Sequence, residues 1–284
     1  MAYIELKDVS YRYPLSKVNA LEHVSCVLEK GKVYGIIGEN GGGKTTFCNL
    51  LRGLIPHFYK GKIKGEINVL GVDVREWDMA ELSAKIGYVF QNPFTQISGI
   101  KETVFEEIAM GMENMGVPKE EIIDKVIGIC KLLKIEELME KNPNELSGGQ
   151  RQRQRVAFAS VIAMDTEMLV IDEPTSQLDP KGTQEIFEII KILKEAGKTI
   201  VLVEHKINLI AEYCDEVIVM EKGHIVFSGA VKKILSNVEL EKHGATIPQA
   251  AVLGNKLIEN GVKLSTIPIT TDEAVDVIRK GMGE

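Results

Sequence analysis

The chain has 284 residues, 44% of them hydrophobic and 26% charged, and a formal net charge of -7. This composition is ordinary for a globular protein, and because the chain is acidic and lacks a stripe of lysine and arginine, we expect no nucleic-acid partner. The four cysteines are far apart, which indicates neither a disulfide framework nor a zinc site and fits a reducing, cytosolic compartment, and no apolar run approaches the roughly 20 residues that cross a bilayer.

The N-terminal segments have the pattern of β-strands. Residues 3–6 and 24–28 are short alternating stretches with a turn at residues 30–31, and they predict strands of an edge sheet. Residues 33–37 form an apolar run bounded by glycines, which is typical of a buried parallel strand. This strand leads directly into a glycine-rich loop at residues 38–46.

The middle of the chain changes from strand to helix. Residues 61–74 predict a second β-type piece, which a polar segment follows at residues 75–85. Beyond Gln91 the pattern is helical, and after Pro118 apolar residues recur at spacings of three and four, which places them on one helix face. We therefore expect a mostly helical insertion over residues 100–160.

Strands return at residues 168–171 and 199–203, separated by an amphipathic helix. Alternating β and α units of this kind predict an α/β fold with a parallel sheet that is covered on both faces.

Residues 236–284 predict two further helices. Pro248 opens the first, with Leu253, Leu257 and Ile258 on one side. Thr270 and Glu273 resemble a capping box for the second. A segment of this length is too short to fold alone, so we expect it to pack on the main domain or on a partner.

Residues 38–46 satisfy the P-loop pattern in full, and they follow a predicted strand, as that motif requires. Glycines let backbone N–H groups approach phosphate oxygens, Lys44 places a positive charge on them, and the Thr45 hydroxyl is suited to ligate Mg²⁺. The residues predicted to bind the nucleotide here are Gly38, Glu39, Asn40, Gly41, Gly42, Gly43, Lys44, Thr45 and Thr46.

Two adjacent carboxylates follow the strand at residues 168–171. Asp172 and Glu173 lie at the carboxyl end of a predicted parallel strand, where ligands of open α/β sheets bind. We expect Asp172 to hold Mg²⁺ through water and Glu173 to orient and polarise the attacking water. The alternative is a solvated strand end, which the P-loop upstream disfavours.

A pentapeptide at residues 146–150, Leu-Ser-Gly-Gly-Gln, lies between the P-loop and the carboxylate pair. Its glycines leave backbone N–H groups unblocked at a predicted helix start, which suits an anion such as a γ-phosphate. Taken alone, the segment is equally typical of a serine N-cap at a loop-to-helix junction.

With these motifs in this order, the chain resembles the nucleotide-binding subunit of an ATP-binding-cassette (ABC) transporter over roughly residues 3–230. The resemblance assigns the Q-loop glutamine to Gln91, the signature to residues 146–150, the Walker B acidic residues to Asp172 and Glu173, the D-loop to residues 176–179 and the switch histidine to His205. It also assigns adenine stacking to Tyr13, for which a packing tyrosine at a sheet edge is the alternative.

The resemblance implies a fold, cofactors and site residues. The fold is a P-loop NTPase of the ABC ATPase type, with a parallel core sheet, an antiparallel β subdomain, a helical signature subdomain and a small C-terminal α/β appendage. ATP and Mg²⁺ are the implied cofactors, and each ATP lies between the P-loop of one protomer and the signature of the other. The implied catalytic residues are Glu173, His205 and Gln91, the metal ligands are Thr45, Gln91 and Asp172, and the remaining nucleotide contacts are Tyr13, Ser147, Gly148, Gly149, Gln150 and Asp179.

The implied partners are a second ATPase subunit, in a homodimer or a heterodimer, and integral membrane transporter subunits. The chain itself is then a peripheral protein at the cytoplasmic face of the cell membrane, without direct membrane insertion. Alternatives are a soluble ABC ATPase that acts on DNA or ribosomes, an ATPase of another type of importer, and a scaffold that binds ATP without hydrolysing it. The presence of both Glu173 and His205 disfavours the scaffold.

Within the family, the chain is most similar to the ATPases of energy-coupling-factor (ECF) transporters, which take up vitamins or metal ions such as cobalt and nickel. Residues 90–96 and 248–249 carry this likeness, although Phe94 and Thr95 stand where that group usually has two acidic residues. In that group a C-terminal appendage helps two ATPase subunits to pair. We therefore divide the chain into an ABC ATPase domain, residues 1–235, and an appendage expected to aid dimerisation, residues 236–284.

Two further departures from the family pattern concern the site. Gly42 stands where serine is commonest, which we expect to be mild because backbone groups bind the phosphates. Residues 151–155, Arg-Gln-Arg-Gln-Arg, contain two residues more than the family usually has, and a surplus of two shifts later helical side chains by about 200°. We expect a bulge or a lengthened helix start to absorb it near the surface; the alternative is an altered grip of the signature on the opposite nucleotide.

Overall fold

The computed structural model describes residues 2–146 and 149–282, which form two β-sheets and the helices around them. In chain order the strands are β1 (Ala2–Arg12), β2 (Leu21–Glu29), β3 (Val33–Ile37), β4 (Lys62–Val69), β5 (Val72–Asp73), β6 (Ile86–Val89), β7 (Met168–Asp172), β8 (Thr199–Val203), β9 (Glu216–Glu221) and β10 (His224–Ala230). The helices are α1 (Lys44–Leu51), α2 (Leu54–His57), α3 (Met79–Lys85), α4 (Val104–Asn114), α5 (Lys119–Leu132), α6 (Gly149–Ala163), α7 (Pro180–Glu195), α8 (Ile207–Tyr213), α9 (Val231–Leu235), α10 (Gln249–Glu259) and α11 (Thr271–Met282). Short 3₁₀ helices span Pro93–Thr95, Glu136–Leu138, Pro143–Glu145 and Val238–His243.

The central sheet has six strands in the order β10-β9-β3-β8-β7-β6, and all neighbours except β9 and β10 are parallel. Every residue of β3, β7 and β8 is buried, as expected for strands that are covered on both faces. Val33 and Ile37 belong to one core, and Tyr34 and Ile36 belong to the other. The predicted parallel sheet is confirmed, and its carboxyl edge presents the loops that follow β3, β7 and β8.

Helix α1 is packed into the core that the central sheet shares with a four-stranded antiparallel sheet of order β2-β1-β4-β5. Seven of its eight residues are buried, and Phe47 and Leu50 share this core with Ile4 of β1. This burial fixes the start of α1 beside the end of β3. The edge sheet predicted from the first strands is therefore present, and it packs against the helix that follows the glycine-rich loop.

A mostly helical segment with α4, α5 and α6 lies between β6 and β7, as predicted. Thr103 and Glu106 form a capping box at the start of α4. Helix α5 buries Ile122, Val126 and Cys130, which are three residues of the predicted apolar face. Among the described residues, no helix combines the length and the apolarity that a membrane span requires.

Helix α6 runs without a break from Gly149 to Ala163, so the two surplus residues lie within a continuous helix and form no bulge in it. The expectation that the surplus lies near the surface is corrected in part, since Gln154 is 1% exposed and Arg155 is also buried. The Arg155 guanidinium donates hydrogen bonds to the carbonyl oxygens of Leu133 and Lys134, just after α5. Carbonyls at a helix end lack partners within the helix, so a buried arginine is stabilised there.

The C-terminal appendage packs on the main body through apolar residues and one ion pair. Leu240, Ala251 and Ile269 belong to the core that also contains α7. Lys232 Nζ lies 2.5 Å from a carboxylate oxygen of Glu273 at the start of α11. The expected packing of this segment on the main body is thus observed.

The appendage differs from the expectation in two respects. Its described residues, 236–282, form helices without any strand, so this part is helical instead of α/β; its apolar spacing has the helical period and not the alternation of a strand. The packed side of α10 is Ala251 and Gly254, whereas Leu253 and Ile258 are 44% and 45% exposed. Small residues occupy the packed side because they let α10 approach Pro268 closely. A Cβ on Gly254 would lie 2.6 Å from Pro268 Cδ.

Alanine substitutions at Gly254 and at Gly128 test this close contact. Gly128 lies in α5 with open space around it, so alanine gains helix propensity and is expected to raise the free energy of unfolding by up to about 1 kcal/mol. Gly254→Ala gains the same propensity but forces Cβ against Pro268, for an expected net loss of about 1–2 kcal/mol. Denaturant unfolding of both variants measures the difference. Equal stabilisation by both substitutions would contradict the packing described.

Candidate functional site

The glycine-rich loop after β3 is positioned by backbone contacts that leave no room for a side chain at Gly38 or Gly42. Gly38 has a φ of 137°, and a Cβ there would lie 2.0 Å from the carbonyl oxygen of Met220 in β9. A Cβ on Gly42 would lie 2.9 Å from the same oxygen. The N–H of Gly223, in the β9–β10 turn, donates to the Gly42 carbonyl at 2.9 Å. Glycine at position 42 therefore also serves packing in this chain.

The same loop presents backbone donors at the start of α1. Gly43 has a φ of 106° and precedes the helix without any side-chain cap. The first N–H groups of α1 have no partner within the helix, and together with the positive end of the helix dipole they favour a bound anion. This geometry suits the phosphates predicted from the motif.

Lys44 is buried beneath the loop, and its Nζ donates hydrogen bonds to the carbonyl oxygens of Gly38 and Glu39 at 2.8 and 3.0 Å. Burial lowers the pKa of Lys44, while Glu173 and Asp172 favour its charged form. A phosphate that enters the loop offers this ammonium a stronger, charge-assisted partner than a carbonyl.

Asp172 is buried at the end of β7, and its Oδ2 accepts a hydrogen bond from the Tyr88 hydroxyl at 2.8 Å. Burial raises the pKa of Asp172, and the Tyr88 hydrogen bond opposes that shift. Burial, with the neighbouring carboxylate, also raises the pKa of Tyr88 far above its ordinary value, so the phenol stays protonated and remains a donor.

The donors predicted for Mg²⁺ fit that ion. Asp172 contributes a carboxylate, Thr45 an exposed hydroxyl and Gln91 an amide oxygen, which are the hard oxygen ligands that Mg²⁺ prefers. The described residues contain no cluster of three or more histidine, cysteine, aspartate or glutamate side chains suited to a metal.

Glu173 occupies the centre of the site, and its two carboxylate oxygens accept hydrogen bonds from two different loops. Gln91 Nε2 donates to Oε2 at 2.8 Å, and His205 Nε2 donates to Oε1 at 2.9 Å. Glu173 has a φ of 46°, which non-glycine residues rarely adopt, and its N–H donates to the Val203 carbonyl at 2.9 Å. The structure thus joins the three predicted catalytic residues and holds one in the kind of strained conformation found at functional sites.

Glu204 belongs to the site although sequence reasoning missed it. It is 3% exposed, and its Oε1 accepts the N–H groups of His205 and Lys206 at 2.8 and 3.1 Å. Its Oε2 accepts the Thr175 hydroxyl at 2.6 Å. Because Thr175 closely follows Glu173, this carboxylate ties the loop of Glu173 to the loop of His205. The sequence signal is an acidic residue directly between an apolar strand and the histidine.

Tyr13 lies beside the P-loop, with its hydroxyl 3.3 Å from the Thr46 hydroxyl. The rings of Tyr11 and Tyr59 meet it edge-on, with centroids 4.8 and 5.7 Å away. Tyr11 is fully buried, whereas Tyr13 is only partly buried. The position fits the predicted adenine contact, which stays a prediction.

Two elements with predicted nucleotide contacts, the Asp179 loop and the start of α6, lie side by side. Asp179 caps α7, because its Oδ1 accepts the N–H of Gly182 at 2.7 Å. A Cβ on Gly182 would lie 3.2 Å from the Arg151 side chain, so the starts of α6 and α7 are adjacent. Of the predicted signature contacts, Ser147 and Gly148 lie outside the described residues, and Gly149 and Gln150 form the first turn of α6.

A cleft of about 480 Å³ opens between the P-loop and the appendage. Its walls are formed by residues 37–40, Glu204, His205, Ile207 and residues 244–246. A Cβ on Gly244 would lie 2.4 Å from Glu39 Cγ, so the Glu39 side chain rests on this glycine. Next to it, His243 Nδ1 lies 2.8 Å from a carboxylate oxygen of Glu221. The appendage therefore touches the P-loop itself.

Comparison with known proteins decides the family. The ABC transporter family matches residues 21–176, more than half of the chain, and this stretch includes the P-loop, the signature and the carboxylate pair. The chain belongs to the ABC transporter family. An energy-coupling factor transporter ATP-binding protein, EcfA2 of Streptococcus pyogenes serotype M3, is 37% identical over 98% of this chain and 99% of its own length.

Solved structures of ABC transporter ATPases share the fold. The cbiO1 protein of Clostridium perfringens, described as part of the ABC transporter complex cbiONQ, has a TM-score of 0.74 and 30% identity over 85% of this chain and 93% of its own. A dimeric ATP-binding cassette in a post-hydrolysis state, bound to ADP and Pi, has a TM-score of 0.69 and 28% identity over 80% of this chain and 98% of its own.

These comparisons confirm the predicted family, the fold class and the likeness to ECF ATPases. As a member of this family, the chain is an ABC ATPase that binds and hydrolyses ATP. The roles of the individual residues are not tested by them and stay predictions.

The hydrogen bond from Tyr88 to Asp172 predicts a pH effect. Because this bond opposes the upward shift of the Asp172 pKa, Tyr88→Phe should raise that pKa further, and the acid limb of Mg²⁺-dependent ATP hydrolysis should move to higher pH. Activity measured from mildly acidic to neutral pH tests this. Tyr3→Phe is the matched control, since it removes a similar hydrogen bond from Glu167. An unchanged acid limb in Tyr88→Phe would argue against a role of ionised Asp172.

Proposed function

We propose that this ABC ATPase energises a membrane importer of the ECF type, which takes up a vitamin or a transition-metal ion. The observation that carries the catalytic part is the contact of Glu173 with both Gln91 and His205, since it gathers a candidate base and two polar partners from three loops. The importer part is supported by the likeness to the energy-coupling factor protein of Streptococcus pyogenes and to the cbiONQ subunit of Clostridium perfringens.

In the proposed reaction, Lys44 and the backbone of residues 38–46 bind the phosphates, and Tyr13 stacks on adenine. Glu173 orients and polarises the attacking water, and His205 contacts the γ-phosphate. Thr45, Gln91 and Asp172 would hold Mg²⁺, which would supply positive charge against the charge that develops on the phosphates. Gln91 and His205 both donate to Glu173, and we expect bound ATP to exchange these hydrogen bonds for contacts with phosphate and water.

We place each ATP between the P-loop of one protomer and residues 147–150 of a second ATPase subunit. The dimeric cassette bound to ADP and Pi supports the pairing of two ATPase subunits. The adjacency of the Asp179 cap and α6 is consistent with contact of both with one nucleotide. A second contact between protomers is proposed for the appendage. Leu253, Ile258 and Val275 on α10 and α11 are exposed apolar side chains, which suit an interface.

The partner of this dimer is proposed to be a set of integral membrane subunits, with the ATPase bound as a peripheral protein at the cytoplasmic face. Binding of ATP then closes the dimer and moves the membrane subunits, and hydrolysis reopens it. This proposal is supported by the likeness of the chain to an energy-coupling factor transporter ATP-binding protein and to a subunit of the ABC transporter complex cbiONQ.

Glu173→Gln tests the catalytic assignment. The amide keeps the size of the side chain but cannot take a proton from water, so we expect turnover to fall by about 10²–10⁴-fold while ATP binding persists and the closed dimer accumulates. Turnover is measured by phosphate release and the dimer by size-exclusion chromatography with ATP. Glu195→Gln, an exposed position at the end of α7, is the matched control. Undiminished hydrolysis in Glu173→Gln would remove Glu173 from the mechanism.

Purification of the full chain from its own cells in mild detergent tests the transport assignment. We expect integral membrane proteins to co-purify and to stimulate its ATP hydrolysis. Recovery of only ribosomes or DNA-processing factors would contradict the importer and favour the soluble alternative.

A further inference from the structure

Two departures from the family pattern meet in the structure. Phe94 stands where an acidic residue is usual, and Arg153 lies in the segment with two surplus residues. The central carbon of the Arg153 guanidinium lies 4.4 Å from the centre of the Phe94 ring. A planar cation over an aromatic face at this distance is a cation–π contact. The loop that carries Gln91 is thereby joined to α6.

Arg153 also binds the turn that leads into the signature. Its Nη2 donates to the Asn144 carbonyl oxygen at 2.8 Å, within the 3₁₀ helix Pro143–Glu145. Buried Leu146 follows this turn directly. One guanidinium therefore connects the Gln91 loop with both the approach to the signature and the helix after it. Lysine does not reproduce this, since its ammonium has neither a planar face nor a fork of donors.

A second contact fastens the same loop one turn further along α6. Gln96 Nε2 donates to the Ala157 carbonyl of α6 at 3.3 Å, and its Oε1 accepts the Phe90 N–H at 3.1 Å. Positions 153 and 157 are four apart and lie on one face of the helix. Phe90 and Gln96 flank Gln91, so the loop is held on α6 around the residue that contacts Glu173.

We propose that Arg153 and Phe94 form a positioning contact that couples the two ATP sites of the dimer. The contact joins the loop of Gln91 to α6. In the proposed function, on which this inference rests, Gln91 serves the protomer's own ATP and the start of α6 faces the ATP of the other protomer. When ATP draws Gln91 away from Glu173, the loop shifts α6 through this contact. Filling one site thereby favours filling the other, which is a coupling free energy between two sites.

A double-mutant cycle tests the proposal in the full chain with its membrane subunits. Phe94→Leu keeps the apolar side chain without the ring face, and Arg153→Lys keeps the charge without the plane. In each variant we expect the Hill coefficient for ATP to fall toward unity and kcat to change little. The KM for ATP should rise by about two- to fivefold, which corresponds to the free energy of an exposed cation–π contact. The double variant should be no worse than Arg153→Lys alone, which already lacks the contact with Phe94.

Two controls separate this effect from a general loss of structure. Phe94→Tyr retains the ring and should retain the Hill coefficient. Arg75→Lys also removes an exposed guanidinium, one that donates to the Gly65 carbonyl in the antiparallel sheet. This variant should leave the ATP dependence unchanged.

Three results would each overturn this inference and leave the proposed function intact. They are additive effects in the double variant, loss of cooperativity in Phe94→Tyr, and a wild-type Hill coefficient of unity. Absence of ATP hydrolysis by the wild-type complex would overturn the proposed function, and this inference with it.

Discussion

The carbonyl oxygen of Met220 fixes the phosphate loop by contact with backbone alone. Gly38 and Gly42 both approach it more closely than a Cβ permits, and the Gly42 carbonyl is bound in turn by the β9–β10 turn. The loop therefore takes its shape from the end of β9, and the Lys44 ammonium adds hydrogen bonds to the carbonyls of Gly38 and Glu39. Its N–H groups stay directed at the ligand, and the burial of α1 between the sheets keeps them there.

Around this loop, burial acts in opposite directions on two charges. It lowers the pKa of Lys44 and raises that of Asp172, because each loses its hydration. Each is also a source of stabilisation for the other's charged form, so the pair is tolerated in the interior as long as both remain charged.

Much of the fold was accessible from sequence because its signals are local. The apolar runs at β3, β7 and β8 and the glycines of the loop each follow from neighbouring residues, and the parallel order brings Glu173 and His205 to one edge. Contacts between distant segments were not accessible. The burial of Arg155 depends on where α5 ends, and the choice of Gly254 over Leu253 as the packed side of α10 depends on Pro268, which no periodicity reveals.

Glu204 has a mechanical consequence for the catalytic loops. One oxygen accepts the backbone N–H of His205 and the other accepts the hydroxyl of Thr175. The loop of His205 and the loop of Glu173 are therefore joined by one buried carboxylate. A displacement of His205 toward a phosphate then carries the Glu173 loop with it, unless this carboxylate lets go of one side. The site therefore has fewer independent parts than its number of loops suggests, because Glu204 links the segment that carries Glu173 to the one that carries His205.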